Sequence, residues 1–282
     1  MSHIRFLPIK TISTGAKMQI GNWKLAKCIT EGRWSRVYTA FSVIQSSNQA
    51  DYVVKFVDPK STDLNYAKNM LNRELACSKL LNHPSLIAFL DADLDCETPY
   101  LVSPKIEGDG MSVVLKKFAR LVDLGEKLLL FRQLCDVIKL LHAHQIRHGD
   151  LSPDNIIVNL KELKATITDL GLAEKVDPFH RTASYSAGTV GYIAPECLGG
   201  TDPITLSADV YSLGVIMAEF FGQLQTGVVS KYMQNVSLKF RLQKLLDSMT
   251  RTHPLNRPTI GEVYDQVVML EIQSLNSGRA AA

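Results

Sequence analysis

The chain has 282 residues, of which 46% are hydrophobic, and a formal net charge of +3. A chain of this length and composition can bury a sizeable core, which excludes disorder as its main state. The basic residues are scattered, so the sequence shows no electrostatic footprint for nucleic acid or for a membrane surface. Any partner must therefore be recognised by a defined site.

The cysteines are spread along the chain without a Cys-x-x-Cys pair: Cys28, Cys77, Cys96, Cys135 and Cys197. An odd number at these spacings fits neither a disulfide framework nor a zinc site. No apolar run approaches the roughly twenty residues of a membrane span, and the N-terminus lacks the pattern of a secretory signal. The sequence therefore predicts a cytoplasmic protein with no membrane partner.

Short β-type runs dominate the beginning of the chain. The segment Met18–Val57 is interrupted by Gly21, by Gly32 and by a polar turn at 46–49. Runs of this kind between turns predict three antiparallel strands. Residues 1–17 carry little patterning and are predicted to be a loose N-terminal extension.

One helix is predicted in this β-rich part, over 64–81, because apolar residues recur there at approximately helical spacing. The dipeptide His83-Pro84 ends it. Two further strands are predicted, at 86–92 and at 100–103.

The composition changes from residue 107 onward, after which Gly108-Asp109-Gly110 forms a flexible joint. Four helices are then predicted, over 125–144, 207–221, 238–249 and 260–275. We therefore expect an α+β fold with a small β-rich lobe at 18–106, a larger helical lobe at 107–273 and a flexible tail at 274–282.

Three polar side chains beyond this joint suit phosphate chemistry. Asp150 and Asn155 lie in the stretch His148-Gly149-Asp150-Leu151-Ser152-Pro153-Asp154-Asn155, and Asp169 lies one short hairpin downstream. Phosphoryl transfer from a nucleotide needs one carboxylate to orient and deprotonate the attacking hydroxyl, and an Asn and a second carboxylate to hold magnesium. Each residue alone would suit a turn, but their joint spacing favours a phosphotransferase.

A lysine inside an apolar strand adds to this pattern. Lys55 stands in the run Val53-Val54-Lys55-Phe56, where an unpaired charge would be costly. It therefore needs an anionic partner, unless the strand lies at an edge and its amine reaches water.

Together the motifs resemble the eukaryotic-type protein kinase family, from about residue 22 to 272. They occur in the family's order, from a glycine-rich hairpin at 30–37, through Lys55 and the loop at 148–155, to Asp169-Leu170-Gly171 and a substrate-docking loop at 188–196. Downstream, Arg257 resembles the arginine whose guanidinium pairs with the Glu196 carboxylate.

The resemblance implies a bilobal protein-kinase-like fold and ATP-dependent transfer to the Ser/Thr hydroxyls of a protein substrate. Asp150 would be the catalytic base, and Lys55 would hold the ATP phosphates while paired with Glu74. Asn155, also counted as catalytic, and Asp169 would bind Mg²⁺. The other nucleotide-binding residues would be Gly32, Val37, Val53, Lys105, Ile106, Asp109 and Ile157.

The substrate-docking loop also indicates the type of hydroxyl. Thr189 in the form Gly-Thr-x-x-Tyr-x-Ala-Pro-Glu resembles kinases that act on Ser and Thr, in which this threonine bonds near the catalytic aspartate.

The sequence departs from the family at several positions. The hairpin keeps only the middle glycine, Gly32, and should therefore be stiffer. Ser152 replaces a lysine that touches the γ-phosphate in Ser/Thr kinases. Gly149 replaces an arginine that in many relatives binds a phosphorylated activation loop. A phosphate on that loop therefore has no obvious receptor at the catalytic loop, residues 148–155. The loop hydroxyls concerned are Thr182, Ser184, Tyr185 and Ser186.

Two other functions stay open. The single-glycine hairpin, Ser78 and Ser152 would also suit a pseudokinase scaffold, which binds nucleotide without turnover. Such a scaffold would have no chemical need to keep all five of the residues Lys55, Glu74, Asp150, Asn155 and Asp169. The loop His148-Gly149-Asp150-Leu151-Ser152-Pro153 also resembles that of aminoglycoside and choline kinases. Those small-molecule phosphotransferases lack an activation segment ending in Ala-Pro-Glu, which this chain has at 194–196.

Overall fold

The structure is a computed structural model and describes residues 18–44, 49–176, 188–199, 202–222 and 236–280. The chain divides into two compact units, one made of Met1–Leu80 with Ala88–Ile106 and the other of Leu81–Ile87 with Glu107–Ala282. The first is a sheet with one main helix, and the second is mainly helical. This is the α+β architecture that the sequence predicts.

The first unit is built on a six-stranded antiparallel sheet with the order β1-β2-β3-β4-β6-β5. Its strands are β1 Gln19–Ile20, β2 Trp23–Glu31, β3 Ser35–Ser42, β4 Tyr52–Val57, β5 Asp91–Asp93 and β6 Tyr100–Pro104. Successive side chains of a strand point to opposite faces. Val54 and Phe56 accordingly pack in a core with Trp23 and Val102, and Lys55 lies on the other face.

The predicted helix is confirmed as α1, Leu64–Leu80. Its residues Ala67 and Leu71 pack with Val57 and Leu101 in a second core. Leu101 is the Cα partner of Lys55, so α1 covers the face of the sheet that carries Lys55. Burying a side chain of this size contributes about 1.5–3 kcal/mol, which holds α1 against the sheet.

The strand predicted over 86–92 is wrong for most of its length, because β5 covers only Asp91–Asp93. Leu86 instead forms an isolated parallel bridge with Ile167, and the Ile87 amide donates to the Ile167 carbonyl at 2.9 Å. A short apolar run can be buried in a connection as well as in a strand, and periodicity over so few residues does not separate the two. Residues 46–48 of the predicted turn and residues 1–17 lie outside the described residues.

The four helices predicted for the second unit are confirmed with small shifts at their ends. Among the described residues, the α- and π-helical elements of this unit are α2 Met111–Val113, a π-helical turn Val114–Phe118, α3 Leu124–Ala143, α4 Ser207–Gly222, α5 Val236–Met249 and α6 Ile260–Ala280. A capping box begins α3, because Asp123 accepts from the Glu126 amide at 2.8 Å and Glu126 accepts from the Asp123 amide at 3.0 Å. Helix α6 continues past residue 274, where a tail is predicted.

Short strands position the loops between the helices. The three-stranded sheet β10-β9-β7 consists of β7 Asp109–Gly110, β9 Ile156–Asn159 and β10 Lys164–Ile167. The two-stranded sheet pairs β8 Ile146–Arg147 with β11 Glu174–Lys175. The loop with the predicted catalytic residues therefore runs between β8 and β9. Within the described parts of the chain, no helix is long and apolar enough to cross a membrane.

Candidate active site

The predicted site residues fall into two sets, and each is described within its own unit. The set in the first unit consists of Gly32, Val37, Val53, Lys55, Glu74, Lys105 and Ile106. The set in the second unit consists of Asp109, Asp150, Asn155, Ile157 and Asp169.

Lys55 of β4 forms an ion pair with a carboxylate of α1. Its Nζ lies 2.7 Å from Oε2 of Glu74, and the Glu74 side chain is only 1% exposed. The predicted ion pair is therefore confirmed. Removing one partner of a buried pair leaves an unpaired charge, at a cost of about 3–5 kcal/mol.

Val37 and Val53 lie on the same face of the sheet as Lys55. Val37 is the Cα partner of Lys55 in the β3–β4 pair, and directly paired residues share a face. Val53 precedes Lys55 by two residues, and alternate residues of a strand point to the same face. Both valines are partly exposed. They offer apolar surface beside the Lys55 ammonium group.

The turn between β2 and β3 contacts α1 through an aromatic pair. The Gly32 amide donates to the Ser35 carbonyl at 2.9 Å, which closes the turn. The ring centroids of Trp34 and Tyr66 lie 5.0 Å apart. Sequence analysis missed this contact, whose signal was an aromatic residue in the turn and another in the first turn of α1. The contact ties the glycine-poor turn to the helix that carries Glu74.

The backbone amide of Lys105 is already used inside the first unit, where it donates to the Asp51 carbonyl at 2.8 Å. An amide engaged in this way does not serve as the donor to an adenine ring. The carbonyl oxygen of Lys105 therefore remains as its candidate backbone contact to adenine. The amide of Ile106 becomes the candidate hydrogen-bond donor to adenine.

In the second unit, the Asp150 carboxylate is held by two residues. Its Oδ1 accepts from the amide and from the hydroxyl of Thr189, both at 2.8 Å. Its Oδ2 accepts from Nδ2 of Asn155 at 3.3 Å, and the same Nδ2 donates to the Asp150 carbonyl at 2.8 Å. The predicted bond between the threonine and the aspartate is confirmed, and the carboxylate has a defined orientation.

Asn155 and Asp169 flank the same end of the β9–β10 hairpin. Ile156 and Ile167 are Cα partners at that end, with Asn155 directly before one and Asp169 shortly after the other. The Thr168 amide donates to the Asn155 carbonyl at 2.8 Å, which joins the two connections. The hairpin thus brings an amide and a carboxylate to one edge.

Asp169 has a left-handed backbone with φ 57°. This conformation is uncommon for a residue with a side chain and costs about 1–3 kcal/mol, so the surrounding structure must hold it. The Gly171 amide donates to Oδ1 of Asp169 at 3.0 Å, which helps to do so. Strain of this kind at a polar residue points to a functional position.

Asp109 and Ile157 lie on adjacent strands of the small sheet of the second unit, but they are not partners and their side chains point to opposite faces. Asp109 pairs with Val158, and Gly110 pairs with Ile157. The Asp109 side chain is exposed and that of Ile157 is partly exposed, so both are accessible to a ligand.

A buried carboxylate of α4 holds the backbone of the catalytic loop. Asp209 accepts from the amides of His148 at 2.8 Å and Gly149 at 3.2 Å, and Nε2 of His142 lies 3.0 Å from it. Burial alone would raise the pKa of Asp209, but the hydrogen bonds from His142 and from the His148 amide outweigh it, and the pKa lies below its usual value. Asp209 lies in the helix predicted over 207–221, but its contacts with this loop were not predicted from the sequence.

A bidentate ion pair fixes the end of the docking loop. Nη1 and Nη2 of Arg257 lie 2.6 Å and 2.7 Å from the two carboxylate oxygens of Glu196, and both side chains are fully buried. The remaining N–H groups of Arg257 donate to the carbonyls of Arg251, Ser207 and Thr252. All five donors of the guanidinium are therefore satisfied. The predicted pair is confirmed.

The two departures in the catalytic loop have structural consequences. Gly149 has φ 81°, and a Cβ there would lie 2.6 Å from the Leu172 carbonyl oxygen. Any side chain at position 149 would therefore be strained. Ser152 is fully buried, and its hydroxyl has no hydrogen-bond partner among the described residues. Unlike the lysine that it replaces, a serine carries no charge that could contact a phosphate. The four loop hydroxyls at 182–186 lie outside the described residues.

The chain is similar in sequence to known protein kinases. The family model for the protein kinase domain matches residues 23–269. The chain is 26% identical to serine/threonine-protein kinase PknD of Protochlamydia amoebophila, over 81% of this chain and 26% of the relative. It is 26% identical to mitosis inducer protein kinase cdr1 of Schizosaccharomyces pombe, over 93% of this chain and 44% of the relative. It is 27% identical to testis-specific serine/threonine-protein kinase 3 of Homo sapiens, over 86% of this chain and 93% of the relative. The chain thus spans less than half the length of the first two relatives.

Proposed function

The chain belongs to the protein kinase domain family, and on this basis we propose that it transfers the γ-phosphate of ATP to serine and threonine hydroxyls of protein substrates. The observation that carries the proposal is the arrangement around Asp150. Its carboxylate is oriented by Thr189 and Asn155, beside the hairpin end that carries Asn155 and Asp169.

Asp150 orients the substrate hydroxyl and accepts its proton. The loose transition state of phosphoryl transfer asks mainly for positioning and charge neutralisation, so the orientation of this carboxylate matters most. Thr189 keeps Oδ1 of Asp150 in place from the side of the docking loop. The proton acceptor and the loop that binds the substrate are then positioned together.

The donor set at the hairpin end suits Mg²⁺. The nitrogen of the Asn155 side chain is committed to Asp150, which leaves its oxygen, with the Asp169 carboxylate, as a pair of hard oxygen ligands. Magnesium typically binds one or two carboxylates and takes its other ligands from phosphates and water. In the part of the chain that the structure describes, no group of three or more His, Cys, Asp and Glu side chains offers a competing metal centre. Bound there, Mg²⁺ would neutralise charge on the phosphates.

The proposed ATP-binding residues fit by chemical type. Lys55, oriented by Glu74, holds the α- and β-phosphates, and Gly32 lets the turn backbone approach them. In the first unit, Val37 and Val53 offer apolar surface to adenine, and the Lys105 carbonyl and the Ile106 amide offer it polar partners. In the second unit, Ile157 and Asp109 are the proposed contacts to the nucleotide.

The buried pair of Glu196 and Arg257 favours a protein substrate over a small molecule. It fixes the end of the docking loop, for which aminoglycoside and choline kinases have no counterpart. The chain retains Lys55, Asp150 and the proposed cation ligands Asn155 and Asp169. This set favours a catalytically active kinase over a pseudokinase scaffold. The serine and threonine preference rests on the Thr189 hydroxyl, which bonds the proposed base.

The test is to incubate the purified chain with labelled ATP and magnesium, alone, with a basic protein, or with a panel of aminoglycosides and choline. We expect label on protein, with phosphoserine and phosphothreonine dominant in phosphoamino-acid analysis. Label on the small molecules alone, or phosphotyrosine as the main product, would contradict the proposal. Magnesium-dependent ATP binding without transfer to any acceptor would favour the scaffold instead.

A further inference from the structure

A buried arginine lies two residues before Gly149. Arg147 in β8 is only 3% exposed. Its guanidinium forms an ion pair with the Glu174 carboxylate of β11, and its Nη1 donates to Sγ of Cys197 at 3.3 Å. Sequence analysis missed this residue, whose signal was a charge inside the run Ile146-Arg147-His148.

Glu174 and Cys197, two of the partners of Arg147, are far apart in sequence. Glu174 follows Asp169-Leu170-Gly171 closely, and Cys197 directly follows the docking loop. One side chain therefore contacts a residue on each side of the segment from Glu174 to Cys197, which contains the docking loop.

The backbone pairing at this point is short and needs support. Glu174 is the Cα partner of Arg147, and Lys175 is the partner of Ile146. The Val176 amide donates to the Gln145 carbonyl at 2.8 Å. Isolated two-stranded pairs are marginally stable, so the side-chain ion pair across this ladder is a main means of holding it.

The charge of Arg147 is balanced by Glu174 rather than by the thiol. Burial raises the pKa of Cys197 to about 11, and the neighbouring Arg147 only partly opposes this. The thiol therefore stays neutral near pH 7 and accepts a weak hydrogen bond. A buried guanidinium requires an anion, and the half-exposed Glu174 carboxylate supplies it.

We propose that Arg147 and Glu174 form a built-in clamp that positions this segment against the catalytic loop without a phosphate, in place of the arginine missing at position 149. The inference rests on the proposed kinase function. Arg147 is a positioning residue, because it acts through Glu174 and Cys197 and not on the reacting atoms. Charge-assisted bonds from an arginine to a phosphate order such segments elsewhere. Here a carboxylate of the chain itself occupies the guanidinium.

The geometry of Gly149 shows why position 149 itself does not carry an arginine, whereas strand β8 does. Position 149 has a left-handed backbone and no space for a Cβ beside Leu172. Arg147 lies on regular strand backbone, where a long side chain is tolerated. A phosphate added to the segment would have to displace Glu174 to reach the same guanidinium.

The test uses the full chain with four single variants and one double variant. Glu174→Gln removes the charge at a half-exposed site and preserves the shape, and Arg147→Met removes the guanidinium. Arg147→Lys keeps a charge but loses the forked guanidinium that contacts both Glu174 and Cys197. Lys175→Gln, next to Glu174 and exposed, is the matched control. The double variant combines Glu174→Gln with Arg147→Met.

Two quantities are measured for each variant. Hydrogen exchange of the Val176 amide reports opening of the β8–β11 pairing and needs no activity. Steady-state kinetics with a protein substrate give kcat and the KM for ATP.

We expect Glu174→Gln and Arg147→Met each to speed Val176 exchange and to lower kcat by about tenfold, a change of about 1.4 kcal/mol, with KM for ATP within about twofold. The double variant should be no worse than the more severe single variant, because both changes break one interaction. Arg147→Lys should be intermediate, and Lys175→Gln unchanged.

Unchanged exchange and kcat in Glu174→Gln, or effects that add in the double variant, would overturn the clamp. Should Arg147→Met not fold, Glu174→Gln and Arg147→Lys still decide the matter. Should the parent chain transfer no phosphate, the proposed function fails, whereas the exchange data alone still support or overturn the clamp.

Discussion

The Thr189 hydroxyl donates a hydrogen bond to Oδ1 of Asp150 at 2.8 Å, and the Thr189 amide donates to the same oxygen at 2.8 Å. One carboxylate oxygen is thus shared between the docking loop and the catalytic loop. The orientation of the proposed base therefore depends on where the docking loop lies.

This relationship predicts that Thr189→Ala lowers kcat more than it raises KM for ATP. A hydrogen bond to a charged group contributes about 1.5–3 kcal/mol, which corresponds to roughly 10- to 100-fold in rate. Thr189→Ser keeps the hydroxyl and should retain most of the activity. Steady-state kinetics on both variants test the role, and equal activity of the Ala and Ser variants would speak against it.

The contact between Trp34 and Tyr66 predicts that releasing the β2–β3 turn changes ATP binding. Aromatic pairs contribute about 0.5–1.5 kcal/mol beyond their buried area, so Tyr66→Leu should lower KM for ATP by roughly two- to tenfold as the turn becomes free to close. The fluorescence emission of Trp34 should shift to longer wavelength as its ring becomes more exposed to solvent. Tyr66→Phe keeps the ring and serves as the control. If Tyr66→Leu left both emission and KM as in the parent chain, the turn would not be held by this pair.

The loop hydroxyls should contribute little to activity. With a glycine at position 149 and Arg147 engaged by Glu174, no described arginine of the catalytic loop is poised for a phosphate. Replacing Thr182, Ser184 and Ser186 with Ala and Tyr185 with Phe should lower the rate by less than about tenfold, or 1.4 kcal/mol. The measurement is kcat of the quadruple variant. A collapse of activity that acidic replacements rescue would show that loop phosphorylation drives the enzyme.

A buried lysine predicts an alkaline change in stability. Lys127 of α3 is fully buried, and its Nζ donates to the Phe220 carbonyl near the end of α4 at 2.6 Å. Burial lowers the pKa of Lys127 from 10.5 to about 8. The unfolded chain therefore binds more protons than the folded chain between these values, and this group's contribution to stability becomes more favourable as pH rises from 8 to 10.5.

The measurement is the free energy of unfolding by urea at several pH values from 7 to 10, for the parent chain and for Lys127→Met. The parent chain should gain stability relative to the variant as pH rises, because methionine cannot titrate. A constant difference across this range would show that Lys127 titrates in the folded chain as it does in water.

Motifs whose chemistry is complete within a short stretch could be predicted from the sequence. Lys55 needed an anion because it lies in an apolar strand, and the resemblance to the kinase family identified Glu74 of the next helix as that anion. Asn155 and Asp169 were joined by two short β-type runs, which the structure pairs as a hairpin. The cost of an unpaired buried charge limits the possible environments of Lys55. The short spacing of the two β-type runs limits the possible positions of Asn155 and Asp169.

Tertiary contacts outside the motifs that resemble the kinase family could not be predicted. Arg147 and Glu174 meet only because β8 pairs with β11 across the catalytic loop. Asp209 reaches the His148 amide because α4 is buried beside that loop. The strand predicted over 86–92 was wrong for the same reason, since Leu86 pairs with Ile167, a partner distant in sequence. No local pattern encodes such pairings.

The most direct test of the central claim compares Asp150→Asn with Asp169→Asn, by transfer of labelled phosphate to protein and by affinity for magnesium-ATP. Both variants should lose transfer, by at least about a thousandfold, since each removes a carboxylate that acts in the transition state. Only Asp169→Asn should weaken magnesium-ATP binding, because only Asp169 is assigned to the cation. Equal loss of ATP affinity in the two variants, or near-parental transfer by Asp150→Asn, would contradict the account.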